Sequence, residues 1–401
     1  MSAPPAAGPR VLFVDHAAVL GGAELSLLDL AGGMRERATV LLFQDGPFRE
    51  RLEEAGVTAA VLPAPPALLD IRRGGRAGAA SAPSVAAHAL RLVPECRRHD
   101  VVYANSQKAF AVAAFAGWIA RRPVVWHLRD LLTPEHFSAS HRRLVTGLAR
   151  RFATRVVANS AATRDAFVAA GGPAEHVRVV YNGIDPAPFE AVDDGDAARL
   201  RAELGVGDAP LVGVFSRLAE WKGQHHLLDA LAGLPAAHAL LVGDALFPGD
   251  EAYATGLRER AAQPDLAGRV HFLGFRRDVP ALMRACDVVA HTSAAPEPFG
   301  RVIVEGMLAR RPVVATAAGG AVELVADGRT GLLVPPGDAR ALRDALARLF
   351  GEPTLGARLA EAGAEEARRR FGVERMRAEV ADLVAEVGRG RPAPRSVVAA
   401  G

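Results

Sequence analysis

Short apolar runs rich in Val, Leu and Ile alternate with longer stretches of helical period along nearly the whole chain, and no other feature limits the fold so strongly. Continuous apolar runs suit strands buried on both faces, and the helical stretches between them are the crossovers that parallel strands need. Strands are predicted at residues 11–15, 39–43, 59–62, 101–105, 124–127, 156–159 and 177–181, then at 211–216, 239–242, 270–273, 288–292, 313–316 and 331–334. The chain therefore reads as α/β, with two Rossmann-like domains. Its 401 residues are too many for one ordinary core.

The Asn182-Gly183-Ile184-Asp185 turn and the acidic Asp193-Asp194-Gly195-Asp196 place the hinge near residues 186–196. The expected division is 1–190, 191–372, a helix over 373–387 and a disordered tail over 388–401. Asp194-Gly195-Asp196 resembles a short acidic motif of the kind that holds a metal. It reads instead as a solvated linker with Asp196 as helix N-cap, and no metal site is expected. Residues 64–84, with Arg72, Arg73 and Arg76 among small residues and prolines, read as a mobile loop open to an anionic acceptor or membrane.

The 48 basic and 45 acidic side chains nearly balance and only 5% of residues are aromatic, which argues against a nucleic-acid partner. Cys96 and Cys286 form neither a metal spacing nor a disulfide framework, so a reduced, cytoplasmic setting is expected. The amino terminus lacks a signal-peptide core, and the apolar stretch 109–120 falls short of the roughly 20 residues that span a bilayer. It reads as a buried helix.

The densest chemistry lies in residues 293–305, Ser-Ala-Ala-Pro-Glu-Pro-Phe-Gly-Arg-Val-Ile-Val-Glu, directly after a predicted strand. Pro298 and Gly300 forbid a helix through both glutamates, so Glu297 belongs to a loop while a helix starting near Gly300 or Arg301 carries Glu305 in its second turn. Amides at a helix start bind anions, and Glu305 stands about 6 Å further along. That layout suits a nucleoside diphosphate: phosphates on the amides, ribose hydroxyls on a carboxylate.

Residues 215–223, Phe-Ser-Arg-Leu-Ala-Glu-Trp-Lys-Gly, follow the first strand of the second domain, at the sheet edge where open α/β folds bind ligands. Arg217 and Lys222 are the candidate cations for a departing diphosphate. Of the 48 basic residues only Lys108 and Lys222 are lysines, so Lys222 marks a position that wants a compact charge on a flexible stem.

Together with Gly21-Gly22-Ala23-Glu24, Val180-Tyr181-Asn182-Gly183-Ile184-Asp185, Leu241-Val242-Gly243-Asp244 and Pro312-Val313-Val314-Ala315-Thr316, these motifs resemble the family 4 retaining glycosyltransferases of the GT-B fold. The resemblance runs from Val11 to about Phe371. It implies two Rossmann-like domains facing a central cleft, with the C-terminal helix crossing back to the first. It also implies a donor held mainly by the second domain, an acceptor held mainly by the first, and catalysis without a divalent metal or other cofactor. Carried over by motif, Glu305 would bind ribose and Glu297 with the backbone at Phe299 and Gly300 would address the donor sugar. Arg217 and Lys222 would bind the diphosphate, with Arg301 beside them at the helix start. Gly21 and Gly22 would let the first loop approach the phosphates closely, as suits a residue type that is free to adopt positive φ and lacks a side chain.

His127 matches a position where relatives place a histidine near the transferring sugar; bonding to a neighbouring group is the competing account, with Asp130 orienting it or capping the next segment. Asn105 and Ser106 would touch the acceptor or simply form a turn. The implied reaction moves a hexose from a nucleoside-diphosphate sugar to a saccharide, lipid-linked or small-molecule hydroxyl, in cell-surface glycan or glycolipid synthesis. A slightly basic first domain permits peripheral contact with the inner face of a membrane. Two other readings use the same architecture: a nucleotide-sugar epimerase and a silent nucleotide-binding module. A nicotinamide dehydrogenase is disfavoured because no Gly-x-Gly-x-x-Gly follows either domain's first strand.

Overall fold

The computed structural model describes residues 8–69, 82–247 and 249–389. The chain divides into two units, Met1–Gly183 with Val373–Gly401, and Ile184–Gly372.

The first unit is a parallel sheet of β1 (Val11–Asp15), β2 (Ala38–Leu42), β3 (Thr58–Val61), β4 (Val101–Ala104), β5 (Val124–Leu128), β6 (Arg155–Ala158) and β7 (Val177–Val179), in the order β3-β2-β1-β4-β5-β6-β7. The direction of winding reverses between β1 and β4. Because successive strand residues point to opposite faces, Leu12 and Val14 join one core and Val11 and Phe13 the other. The first core is closed by helices Ala82–Arg98, Gln107–Ala120 and Ala139–Phe152, and there Trp126 stacks on Phe110 with centroids 4.5 Å apart. Each such fully buried large side chain contributes about 1.5–3 kcal/mol.

The second core holds the helices Gly22–Gly32, Pro47–Glu54 and Val373–Arg389. Val373, Met376, Val380, Leu383, Val384 and Val387 recur at spacings of three and four, so one stripe of this last helix is apolar and is buried beside Val11 and Tyr103. Arg377 Nε adds a bond of 2.8 Å to the Asp29 carbonyl. The C-terminal helix thus belongs to the first unit.

The second unit is a parallel sheet of β8 (Leu211–Phe215), β9 (His238–Val242), β10 (Val270–Gly274), β11 (Val288–His291), β12 (Val313–Thr316) and β13 (Leu332–Val334), in the order β10-β9-β8-β11-β12-β13. Its reversal lies between β8 and β11.

Every predicted strand is present, with no end displaced by more than two residues. The passage between units comes at Gly183/Ile184, ahead of the expected 190/191, because Ile184 N already bonds to Phe371 O at 2.9 Å inside the second unit. The cap of helix Asp194–Glu203 is Asp193, which accepts from Asp196 N at 2.8 Å; Asp196 is not the cap. The loop expected at 64–84 contains helix Pro66–Leu69 and the start of Ala82–Arg98, while Arg72, Arg73 and Arg76 lie outside the described residues. The C-terminal helix continues to Arg389, past the expected 387, and the rest of the tail lies outside the described residues.

Candidate functional site

Open parallel sheets offer a crevice at the carboxyl edge where the winding reverses, and in the second unit the loops after β8 and β11 meet there. Glu220–Lys222 forms a single 3-10 turn, followed by Gly223 at φ 69°. A Cβ on Gly223 would stand 2.1 Å from the Thr292 carbonyl oxygen, so only glycine permits this approach. Thr292 Oγ1 donates to Lys222 O and Ala294 N to Trp221 O, each at 2.8 Å. The segment carrying Lys222 is therefore stitched to the loop carrying Glu297.

Glu297 is buried, and its Oε1 lies 2.5 Å from Lys222 Nζ and 3.1 Å from His291 Nε2, while Ser293 Oγ donates to the same oxygen. Burial alone would raise its pKa, but the charges of Lys222 and His291 and the bonds they make outweigh it and hold the carboxyl well below its ordinary range. The Glu297 backbone is fixed as well, with Gly320 N donating to its carbonyl at 2.8 Å.

Gly300, at φ 96°, turns the chain into helix Arg301–Leu308 through a conformation that residues with a Cβ rarely adopt. The first-turn amides of any helix lack partners within it, so this end attracts anions. Glu305 sits in the second turn, its Oε1 3.3 Å from Arg301 Nε. The Phe299 side chain is buried edge-on against Phe371, leaving only its backbone for a ligand role. Across the crevice, the Arg217 guanidinium and the Lys222 ammonium both lie over the Trp221 ring, at 5.5 and 4.3 Å from its centroid.

Residues 196–366 match the family model "Glycosyl transferases group 1", and residues 21–183 match "Glycosyl transferase 4-like domain". The structure superimposes on Anabaena HepE in complex with UDP-glucose with a TM-score of 0.87 and 44% identity, covering 94% of this chain and 100% of that one. The chain belongs to the group 1, family 4-like glycosyltransferases. The lipopolysaccharide core biosynthesis mannosyltransferase LpsB of Rhizobium meliloti is 32% identical over 64% of this chain and 75% of its own length. For LpsE of the same organism, a lipopolysaccharide core biosynthesis glycosyltransferase, identity is 35% over 47% of this chain and 52% of that protein. The chain spans about half the length of several of the curated relatives it matches. The two parallel Rossmann-like sheets are those of the GT-B class.

In this glycosyltransferase the residues predicted in the first unit are placed differently from those in the second. Neither Gly21 nor Gly22 has a positive φ. Gly21 is extended, its N–H donates to Glu24 Oε2 at 3.0 Å, and a Cβ there would stand 2.8 Å from that oxygen. What this position needs is room for the cap. Asn105 is fully buried, giving its amide to Asp15 Oδ2 at 2.6 Å and accepting from Arg129, so it is committed to the interior. Ser106 caps helix Gln107–Ala120 and bonds to His16 Nδ1 at 2.8 Å. His127 is buried with Nδ1 2.7 Å from the Tyr103 hydroxyl, and burial first, then Arg129, push its pKa well down, which keeps the ring neutral. Asp130 accepts from Gln107 Nε2 at 2.7 Å, whereas His127 bonds to Tyr103.

Sequence reasoning missed the polar frame around both crevices. In the second unit it comprises His291, Ser293, Gln224, whose Nε2 donates to the Arg217 carbonyl, and Tyr253, whose hydroxyl donates to Gln224 Oε1; in the first, Asp15, His16, Glu24 and Arg129. For half of them the available signal was position: His291, Ser293, Asp15 and His16 stand at or just past the carboxyl ends of strands beside the winding reversals. Among the described residues no group of three or more His, Cys, Asp or Glu is placed to hold a metal. A cavity of about 740 Å³ by Asp29, Arg35, Arg37, Glu374 and Arg377 contains none of the predicted site residues.

Proposed function

We propose that this chain is a retaining hexosyltransferase that takes its sugar from a nucleoside diphosphate, with UDP-glucose the first donor to test. The observation that carries the reading is the Lys222–Glu297 pair, set at the β8/β11 reversal between Arg217 and the start of helix Arg301–Leu308. The complex of HepE with UDP-glucose supports the choice of nucleotide.

In the proposed reaction the bond from the anomeric carbon to the diphosphate breaks and its electron pair leaves on the phosphate oxygen. The acceptor oxygen bonds to that carbon from the same face and passes its proton to the departing oxygen. Arg217 and Lys222 stabilise the charge that develops on the diphosphate, an interaction stronger in the transition state than before it. Glu297 addresses the donor sugar and Glu305 the ribose, so neither serves as a covalent nucleophile. We assign the cationic role to these side chains and the helix amides without a divalent metal, and the acceptor to the first unit.

The lipopolysaccharide core functions in the names of LpsE and LpsB support an acceptor in cell-surface glycan synthesis. No helix of the described residues is long and apolar enough to cross a membrane. We place the reaction in a reducing cytoplasm, in keeping with two buried free cysteines, and allow a lipid-linked acceptor reached at the membrane's inner face.

Calorimetric titration with UDP, GDP, ADP and their sugars tests the donor site, and NMR of the product anomer tests retention. Binding of one diphosphate series is expected. Absence of binding throughout, or a product inverted relative to its donor, removes the corresponding half of the reading. Incubation without acceptor would expose an epimerase by its rearranged sugar.

A further inference from the structure

The geometry points to Phe247 and Asp250 as positioning residues that clamp Arg217 in a fixed orientation before a diphosphate arrives. The inference rests on the donor reading above and names two residues that reading leaves unused. The Arg217 guanidinium carbon lies 4.7 Å from the centroid of Phe247 and 5.5 Å from that of Trp221, and its Nη1 is 3.3 Å from Asp250 Oδ2. Two ring faces and one carboxylate restrict a side chain that otherwise has many rotamers.

The clamp comes from the segment after β9, which is itself docked on the β8 loop. Leu218 N donates to Asp244 O at 3.0 Å, and Asp250 opens helix Asp250–Ala261. One turn further on, the Tyr253 hydroxyl donates to Gln224 Oε1 at 3.1 Å, and Gln224 Nε2 in turn donates to the Arg217 carbonyl at 2.8 Å. One helix therefore governs both the backbone and the guanidinium of Arg217. Phe247 is 49% exposed, so the ring does not serve a core; its face is covered by the guanidinium. An arginine already ordered gives up less freedom on binding a phosphate, which is how a residue without ligand contact strengthens binding.

The test is calorimetry on the full chain with UDP and, separately, uridine. Phe247→Ala and Asp250→Asn are each expected to weaken UDP binding about 3- to 10-fold. Uridine affinity should stay unchanged, and Phe247→Tyr and Asp250→Glu should retain most of the UDP affinity. In an Arg217→Ala background, Phe247→Ala should cost nothing more. If the alanine variant does not fold, Phe247→Leu, which keeps bulk and removes the ring, is read in the same way. An equal loss for uridine would assign Phe247 to the base or to general structure and overturn the clamp. Unchanged UDP affinity in both variants would overturn it alone, whereas a wild type that binds no nucleoside diphosphate overturns the donor reading and the clamp together.

Discussion

Lys222 Nζ lies 2.5 Å from Glu297 Oε1, across 75 positions of sequence, so the proposed diphosphate cation and the proposed sugar carboxylate hold one another. Lys222 helps keep Glu297 ionised although both side chains are largely buried, and each orders the loop that bears its partner.

Replacing Lys222 by Ala should lower turnover by about one to three orders of magnitude, as loss of a transition-state donor does. It should also destabilise the fold, by up to about 3–5 kcal/mol, because the buried Glu297 carboxylate loses the nearer of its two partners and keeps only His291. Steady-state kinetics and chemical denaturation measure the two separately. Adding Glu297→Gln to Lys222→Ala should recover much of the stability and none of the turnover; recovery of both would argue against a catalytic Lys222.

Glu297 titrates well below its ordinary 4.5 in the folded chain. Below pH 4.5 the unfolded chain therefore binds the extra proton first, and the contribution of the pair, complete above that pH, is lost as pH falls through the lower folded value. Acid melting curves of the wild type should descend more steeply below pH 4.5 than those of Glu297→Gln. Parallel curves would contradict the pairing.

Glu24 carries the opposite sign. Burial, followed by the nearby Asp15 charge, raises its pKa to about 7, although Gly21 N and His16 pull the other way. Between pH 4.5 and 7 the native state holds more protons than the unfolded one, so this contribution is present at low pH and lost as pH rises through 7. Its size is of the order of 1–3 kcal/mol. The melting temperature of Glu24→Gln should depend less on pH between 5 and 8, and a profile as steep as the wild type's would refute the assignment.

Removal of the Glu305 carboxylate in Glu305→Gln should weaken UDP binding about 10-fold or more through loss of a charged ribose bond, with binding of inorganic pyrophosphate little changed. Equal affinity for UDP before and after the change would eliminate the ribose role.

The strands were legible because burial on both sheet faces demands apolar runs, and the runs at residues 11–15 and 313–316 match β1 and β12 residue for residue. Proline and glycine punctuation placed the break between Glu297 and the helix carrying Glu305. The internal bonds of Gly21 and Asn105 were not legible, for one shared reason. A glycine beside a helix and a strand-end asparagine look alike whether they face a ligand or an internal partner, and here the partners are Glu24, three residues on, and Asp15, brought beside Asn105 by the pairing of β1 with β4. The Phe247–Arg217 contact could not be read either, since it joins loops after two different strands and leaves no periodic mark.

The helix Val373–Arg389 fills the face of a sheet whose strands were all written before residue 184. On the ribosome the amino-terminal half must therefore wait, with Val11, Phe13 and Tyr103 only partly covered, until the whole carboxyl-terminal half has been synthesised. Truncations late in the sequence should accordingly injure the half translated first. The intervening 184–372 segment, whose two ends are joined by the Ile184–Phe371 bond, is the piece suited to independent expression.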